Sequence, residues 1–268
     1  MSGVDQEPDP ESRFFFAHVQ KAAGTSLFVR LQRHFAREQI YPDGSDTAEG
    51  GGPGAGGRPA FPRLAPTLLV SHLLDRYRAR RDEIRVVTGH FPLRTTELLG
   101  DPFITLTLVR EPVERTLSSL RHHQFRTPAD RDRPLEELYD DPIRFEGLIH
   151  NHMVKMFSLS PEEIVVGDGV MARVEEFTTT RLDDAKTRLA GVDVLGLHDD
   201  LDGFCAELTD RFGWQLGGRV HANRTDPIEV SRSFRERIAL DNALDCDLYE
   251  YAVALHARRP APTAVRGA

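Results

Sequence analysis

The chain lacks the residues and segments that mark secreted or membrane-spanning proteins. It contains only two cysteines, Cys205 and Cys246, too few for a disulfide framework, and two free thiols suit a reducing compartment. No apolar run approaches the length needed to cross a bilayer. The acidic residues 1–13 contain no apolar core of a signal peptide. We therefore expect a cytoplasmic protein without a membrane span.

Positive charge is also scarce. The 268 residues include 34 Lys and Arg against 42 Asp and Glu, a formal net charge of −8. This balance argues against a protein that binds nucleic acid through its overall charge. It also disfavours a long polyanionic acceptor, although a local basic groove is compatible with it. A metal site is not indicated, because His122 and His123 are adjacent and cannot share one face of a helix.

The order of the segments predicts a single α/β domain over residues 13–257. Short β-rich runs alternate with amphipathic helical segments, so we expect a three-layer sandwich with a central parallel sheet covered on both faces. The later strands are predicted at 84–88, 103–109 and 193–197. The helices are predicted at 25–37, 67–81, after Leu93, and at 112–125, 135–158, 178–190, 200–212 and 231–257.

Three segments are predicted to lie outside the ordered core. Residues 1–12 and the tail 258–268 are predicted to be disordered. The glycine-rich segment 43–63 cannot bury enough apolar surface to offset its ordering entropy, so we expect a flexible loop. It is either a flap near the functional site or an inert surface insertion.

The first segment with a chemical signature follows the apolar run that begins at Phe14. The run stops at polar residues and then becomes amphipathic, which predicts a strand, a loop and a helix whose N-terminus faces an anion. Lys21 adds a full charge, Gly24 permits close approach of the backbone, and Thr25 and Ser26 supply hydroxyls. The ATP-binding pattern G-x-x-x-x-G-K-[ST] is absent, since Ala22 stands where the magnesium-binding hydroxyl belongs.

A second segment repeats this arrangement. The apolar run 103–109 ends at Arg110, Pro112 lies near the predicted helix start, and Ser118 follows two helical turns later. The sequence therefore predicts a second helix N-terminus aimed at an anion.

Together the two segments resemble the cytosolic and Golgi sulfotransferases, and in particular the carbohydrate (heparan-sulfate 2-O) branch, here as a bacterial member. That resemblance implies a fold like that of the P-loop NTPases and the donor PAPS (3′-phosphoadenosine 5′-phosphosulfate), with PAP as product and no metal. In that family the loop H-x-P-K-T-[AG]-G-T-[ST] binds the 5′-phosphosulfate, and R-[DE]-P-x-x-R-x-x-S binds the 3′-phosphate. Gln20 and Ala22 depart from the first pattern. The implied PAPS contacts are Lys21, Ala23, Gly24, Thr25, Ser26, Arg110, Ser118 and, from a closing loop, Arg224.

The resemblance also assigns chemical roles. A Gly-His pair after a strand, here Gly89-His90, supplies the catalytic base in the uronic-acid 2-O-sulfotransferases, and Lys21 stabilises the leaving phosphate. His18 is either a structural group that closes the first strand or a substrate contact. Arg115 is an ion-pair partner or a second phosphate contact. The acceptor contacts are predicted at His90, Arg121, His122, His123 and Arg126, although the last four also suit a solvated helix end.

The expected function is transfer of the sulfuryl group of PAPS to a hydroxyl of a carbohydrate or of a glycosylated or other small molecule. Two alternatives stay open: an ATP-dependent kinase with a related fold, and a non-catalytic protein that binds PAP or another nucleotide. We expect a monomer or a homodimer that binds no nucleic acid.

Overall fold

A five-stranded parallel sheet forms the centre of the computed structural model, which describes residues 12–43, 67–217 and 229–258. The strand order is β2-β3-β1-β4-β5. The strands are β1 Phe14–His18, β2 Ile40–Tyr41, β3 Val86–Gly89, β4 Ile104–Val109 and β5 Val194–Leu197. The predicted α/β class with a central parallel sheet flanked by helices is confirmed.

The sheet is covered on both faces because its strands are apolar on both faces. Phe14, Phe15 and Phe16 of β1 are consecutive, so they alternate between the faces, yet all three are buried. β1 pairs with β3 on one side and with β4 on the other. The two strands predicted to end in functional residues are therefore neighbours of β1, and all three carboxyl ends lie at one edge of the sheet.

The helices account for most of the remaining described residues. Along the chain they are α1 Gly24–His34, α2 Val70–Ala79, α3 Thr95–Leu99, α4 Pro112–Arg126, α5 Leu135–Tyr139, α6 Pro142–Arg144, α7 His152–Ser158, α8 Pro161–Val166, α9 Thr179–Ala190, α10 Leu201–Phe212, α11 Arg232–Asp241 and α12 Ala243–Ala257. A π-helical turn, Phe145–Ile149, lies between α6 and α7. None of the described helices is long and apolar enough to cross a membrane.

Two predicted helical stretches are divided in the structure. The stretch 135–158, predicted to be dominated by helices, consists of α5, α6, the π-helical turn and α7, because Pro142 starts a new helix and Asn151 has a left-handed backbone (φ 43°). The predicted helix 231–257 is split at Asn242, whose backbone is not helical (φ −116°, ψ 33°).

Both interruptions belong to one buried junction between α7 and α12. The Asp245 carboxylate accepts the N–H groups of Met153 (3.0 Å) and Val154 (2.8 Å) at the start of α7. In return, the Asn151 Oδ1 accepts the Asp245 N–H (3.1 Å), and the Asn242 Oδ1 accepts the Asn151 N–H (2.8 Å). Each helix start is thus capped by the other helix.

Arg115 also belongs to the buried interior. Its guanidinium is fully buried and donates to the carbonyl oxygens of Leu148 (3.1 Å) and Ile149 (2.9 Å) in the π-helical turn. The sequence-based interpretation of Arg115 as a phosphate contact or ion-pair partner is therefore replaced by a structural role, because its donors are directed at backbone carbonyls.

We expect Asp245→Ala to destabilise the fold by about 3 kcal/mol or more, since removing one partner from a buried charged network costs about 3–5 kcal/mol. The variant leaves the two amides of α7 without their acceptor. Urea denaturation would measure the change in the free energy of unfolding. The matched control is Asp247→Ala, an exposed carboxylate on the same helix. A loss below about 1 kcal/mol for Asp245→Ala, in the range of an ordinary hydrogen bond, would contradict this account.

Candidate active site

The loop between β1 and α1 leaves a helix N-terminus open. Lys21 (φ 67°) and Ala23 (φ 63°) both have left-handed backbones, a conformation that costs a residue with a side chain on the order of 1 kcal/mol. No side chain caps α1, and its first turn contains no acidic residue. The N–H groups of Gly24, Thr25 and Ser26 have no acceptor within the described part of the chain. Such an N-terminus suits an anion.

Gly24 is required here by the neighbouring histidine. A Cβ at this position would lie 1.7 Å from Nε2 of His18, so any larger residue collides with the imidazole. The His18 ring also stacks on Phe16, with ring centroids 5.3 Å apart. The structure therefore places His18 against the start of α1, and it gives Gly24 a packing role in addition to the close backbone approach expected from the sequence.

Lys21 lies among other cations. Burial, together with the charges of Arg110 and Arg126, lowers its pKa to about 8. Arg110 follows β4, and its guanidinium donates to the Lys21 carbonyl (3.1 Å), so the two predicted segments are in direct contact. Because the charges that act most on Lys21 are positive, this part of the site favours a ligand with several negative charges.

The second predicted anion-binding helix N-terminus is absent from the structure. The Glu111 carboxylate caps α4 by accepting the N–H groups of Val113 (3.0 Å) and Glu114 (2.7 Å), and Pro112 has no N–H. Within the described residues this helix start offers no free donor. The expectation was wrong because a local carboxylate satisfies the amides first. In this segment the Arg110 guanidinium is the group whose charge suits an anion, and the half-buried Ser118 lies further along α4.

His90 follows β3 and has a defined tautomer. Its Nδ1 lies 2.9 Å from the carbonyl oxygen of His18. A carbonyl only accepts, so Nδ1 carries the proton and Nε2 has a free lone pair. Burial lowers the pKa of His90, the hydrogen bond to His18 opposes this shift, and Lys21 lowers the pKa further. His90 is therefore neutral near pH 7, and its Nε2 can accept a proton.

Three of the four predicted acceptor contacts on α4 lie within electrostatic reach of Lys21, and Arg121 does not. Burial lowers the pKa of His122, and the charges of Lys21, Arg126 and His90 contribute, so His122 lies near the catalytic candidates. Arg126 also acts on Lys21. For His123 the largest charge effect on the pKa comes from Arg144, and Lys21 acts more weakly, so His123 lies between the candidate site and Arg144. Arg121 is exposed and has no described contact with the site. Arg224 lies outside the described residues.

The sequence reasoning missed two residues near Arg110. His198 follows β5, and its Nδ1 lies 2.8 Å from a carboxylate oxygen of Asp199. Burial lowers the pKa of His198, and Arg110 and Lys21 lower it further. Tyr249 on α12 also interacts electrostatically with Arg110. His198 could have been identified, because it directly follows a predicted strand and therefore lies at the same edge of the sheet as His18. Tyr249 carried no such signal.

Comparisons with known proteins identify no family for this chain. No family model matches it, and no curated protein matches its sequence. Among solved structures, a sulfotransferase from Alicyclobacillus acidocaldarius is similar, with 16% sequence identity, a TM-score of 0.48, and coverage of 92% of this chain and 97% of that chain. A similarity this low does not establish a shared function, so the function must be argued from the site.

Proposed function

We propose that this chain is a PAPS-dependent sulfotransferase that sulfates a hydroxyl group of a carbohydrate or another small molecule. The observation that carries the proposal is the pairing of a neutral His90, with its Nε2 free, and a buried cation, Lys21, beside an uncapped helix N-terminus. This pairing matches the requirements of sulfuryl transfer, which are removal of a proton from the acceptor and stabilisation of charge on the leaving group.

The residues present fit a phosphosulfate donor. The free N–H groups at the start of α1 and the Lys21 ammonium suit the 5′-phosphosulfate, and Arg110 offers the forked donors that suit a 3′-phosphate. When bound, PAPS supplies an activated sulfuryl group whose leaving group is a phosphate oxygen. Ser118, on the helix α4 that follows Arg110, is proposed as a further phosphate contact.

The protein contributes little covalent chemistry, as in phosphoryl transfer. Nε2 of His90 takes the proton of the acceptor hydroxyl and becomes an imidazolium, while the His18 carbonyl holds Nδ1 and fixes the orientation of the ring. The positive charge of Lys21 stabilises the negative charge on the leaving phosphate oxygen. His122 and Arg126 are proposed to contact the acceptor. His122 lies near both His90 and Lys21, and Arg126 lies near Lys21.

The residue types around Lys21 favour sulfuryl transfer over an ATP-dependent kinase. A kinase of the related fold places a hydroxyl and a carboxylate on magnesium next to its phosphate-binding lysine. Here Ala22 follows Lys21, and the charges that most affect the Lys21 pKa are those of arginines. A sulfuryl-group donor such as PAPS, whose phosphates need no metal ion, suits the surroundings of Lys21 better than ATP with magnesium does.

We expect Arg110→Ala to weaken PAP binding by about one to two decades, because loss of a charge-assisted hydrogen bond costs about 1.5–3 kcal/mol. Arg110→Lys, which keeps the charge and loses the fork, should fall between wild type and alanine. Isothermal titration calorimetry with PAP would measure the affinities, and Arg131→Ala, an exposed arginine outside the proposed nucleotide contacts, is the control. Unchanged PAP affinity in folded Arg110→Ala would show that Arg110 does not bind the nucleotide.

PAP affinity should also fall in alkaline solution. Lys21 in the free protein has a pKa of about 8, and a bound anion favours its charged form. Affinity should therefore be constant just below pH 8 and fall by up to about tenfold per pH unit above it, until the pKa of the bound state is reached. Lys21→Arg should remove this decrease, since arginine stays charged. Equal slopes for wild type and Lys21→Arg between pH 8 and 10 would rule out Lys21 as the group that titrates.

A further inference from the structure

His198 lies beside Arg110 at the carboxyl edge of the sheet. β4 and β5 pair in parallel with Val109 opposite Leu197, so Arg110 and His198 are the next residues of two neighbouring strands, which lie about 4.8 Å apart. The charge of Arg110 affects the pKa of His198, so the imidazole is within electrostatic reach of the guanidinium. Arg110 donates to the Lys21 carbonyl and forms no ion pair among the described residues. A phosphate held by Arg110 would therefore lie near the His198 ring.

The tautomer of His198 is set by the next residue in the sequence. Nδ1 of His198 lies 2.8 Å from a carboxylate oxygen of Asp199. A carboxylate only accepts, so Nδ1 carries the proton of the neutral ring and Nε2 has a lone pair. Nε2 makes no hydrogen bond within the described part of the chain, and 28% of the side chain is exposed. A ligand can reach Nε2, but a phosphate oxygen can bond to it only if a proton lies between them.

The surroundings of His198 keep its ring neutral in the free protein. Burial lowers the pKa of His198, the hydrogen bond to Asp199 raises it, and the charges of Arg110 and Lys21 lower it. The net effect is a pKa below the ordinary value of a histidine. The two cations thus oppose the protonation that contact with a phosphate requires.

The other polar groups around Arg110 are already engaged or uncharged. Glu111 and Asp200 cap helices α4 and α10, so both carboxylates accept backbone N–H groups. Glu114 is paired with Arg235. Burial raises the pKa of Tyr249 on α12, so its phenol is uncharged near neutral pH. Among the described neighbours of Arg110, His198 is therefore the group whose charge a bound anion changes most easily near pH 6.5.

A bound phosphate reverses the electrostatic balance at His198. A phosphate monoester carries about two negative charges near neutral pH. An opposite charge within about 4–6 Å favours the charged form of a titratable group. The protonated ring can then donate from both nitrogens, to the Asp199 carboxylate from Nδ1 and to the phosphate from Nε2. Binding of the phosphate and protonation of His198 therefore favour each other.

We propose that His198 binds the 3′-phosphate of the nucleotide by taking up a proton, which moves from a buffer acid to Nε2 and is then donated to a phosphate oxygen beside Arg110. This inference rests on the proposed function, because it requires a 3′-phosphate at Arg110. The ring holds the proton more tightly in the complex than in the free protein, so PAP affinity rises as pH falls and becomes constant below the pKa of the free ring. This pH range lies below the one in which Lys21 titrates.

The test is calorimetric titration with PAP at pH 6.5 in buffers of different ionisation enthalpy, which gives the number of protons taken up. Wild type should take up about half a proton more than His198→Gln. Glutamine keeps an N–H donor and does not titrate, so this difference removes the contributions of Lys21, the other histidines and the nucleotide itself. The matched control is His34→Gln, an exposed histidine at the far end of α1, which should behave as wild type.

Two further measurements follow the same proton. The ratio of the PAP affinities of wild type and His198→Gln should rise by about threefold or more from pH 7.5 to pH 6, within the limit of tenfold per pH unit for one proton. NMR of wild type should show that the His198 ring titrates at a higher pH with PAP than without it, a readout that does not depend on the folding of a variant.

The possible results separate this inference from the proposed function. If PAP binds and Arg110→Ala weakens it, but wild type and His198→Gln take up equal numbers of protons, the inference is wrong and the proposed function stands. The same holds if PAP leaves the titration of His198 unchanged, or if His34→Gln loses as much proton uptake as His198→Gln. Failure of wild type to bind PAP would overturn both.

Discussion

His90→Ala should lower the rate of sulfuryl transfer by about 10²–10⁴-fold, the usual contribution of a general base, and leave PAP affinity unchanged. The reason is that Nε2 of His90 is a free proton acceptor at this edge of the sheet, while the proposed nucleotide contacts are α1, Lys21 and Arg110. Single-turnover formation of PAP from PAPS, with a cell extract as the source of acceptors, would measure the rate.

His122→Ala is the matched variant for this experiment. It removes the neighbouring imidazole that also lies near Lys21, and it should lower the rate much less than His90→Ala does. If His90→Ala reacts at nearly the wild-type rate while His122→Ala does not, the base is His122, and the assignment from the His18 hydrogen bond is wrong.

Lys21→Ala should impair both binding and turnover. Removing a charge that stabilises the leaving group costs about 10²–10³-fold in rate, as for other preorganised donors. The ammonium also contacts the ground state, so affinity for PAPS should fall by about one to two decades. Alanine is the suitable replacement because it keeps a Cβ at a position whose φ is 67°. Glycine would also relieve the backbone strain of the loop, so its effect could not be assigned to the lost charge alone.

The two variants therefore separate the two roles. His90→Ala should change the rate alone, and Lys21→Ala should change rate and affinity together. Affinities would be measured by calorimetry with PAP and rates in single turnover. If Lys21→Ala binds PAP as tightly as wild type, the start of α1 is not the phosphosulfate site.

Much of the fold could be predicted because its signals are local and strong. The phenylalanines of β1 cannot be placed on a solvent-exposed face, so a parallel sheet covered on both sides follows from the sequence. The convergence of the two predicted anion-binding segments was also predictable, since the carboxyl ends of parallel strands meet at one edge. The contact between Arg110 and the Lys21 carbonyl has this origin.

The details that change the chemistry depend on contacts between residues far apart in sequence. The tautomer of His90 depends on the pairing of Ala17 with Gly89, which places the His18 carbonyl beside the imidazole. The break before α7 depends on Asp245, more than ninety residues away in sequence. The hydrophobic periodicity of one segment carries no information about its contacts with residues far away in the sequence. The cap by Glu111 is local, but glutamate is not among the residues that favour the N-cap position.

The most direct test of the central claim is a comparison of PAP with ADP by isothermal titration calorimetry. The two nucleotides are isomers with the same two phosphate groups, and they differ in whether the second phosphate is on the 3′-oxygen or on the 5′-phosphate. If the chain is a PAPS-dependent sulfotransferase, PAP should bind at least about tenfold more tightly than ADP, which is a difference of about 1.4 kcal/mol, and Arg110→Ala should abolish the preference. Binding of ADP as tight as that of PAP, or a preference that survives in Arg110→Ala, would contradict the account.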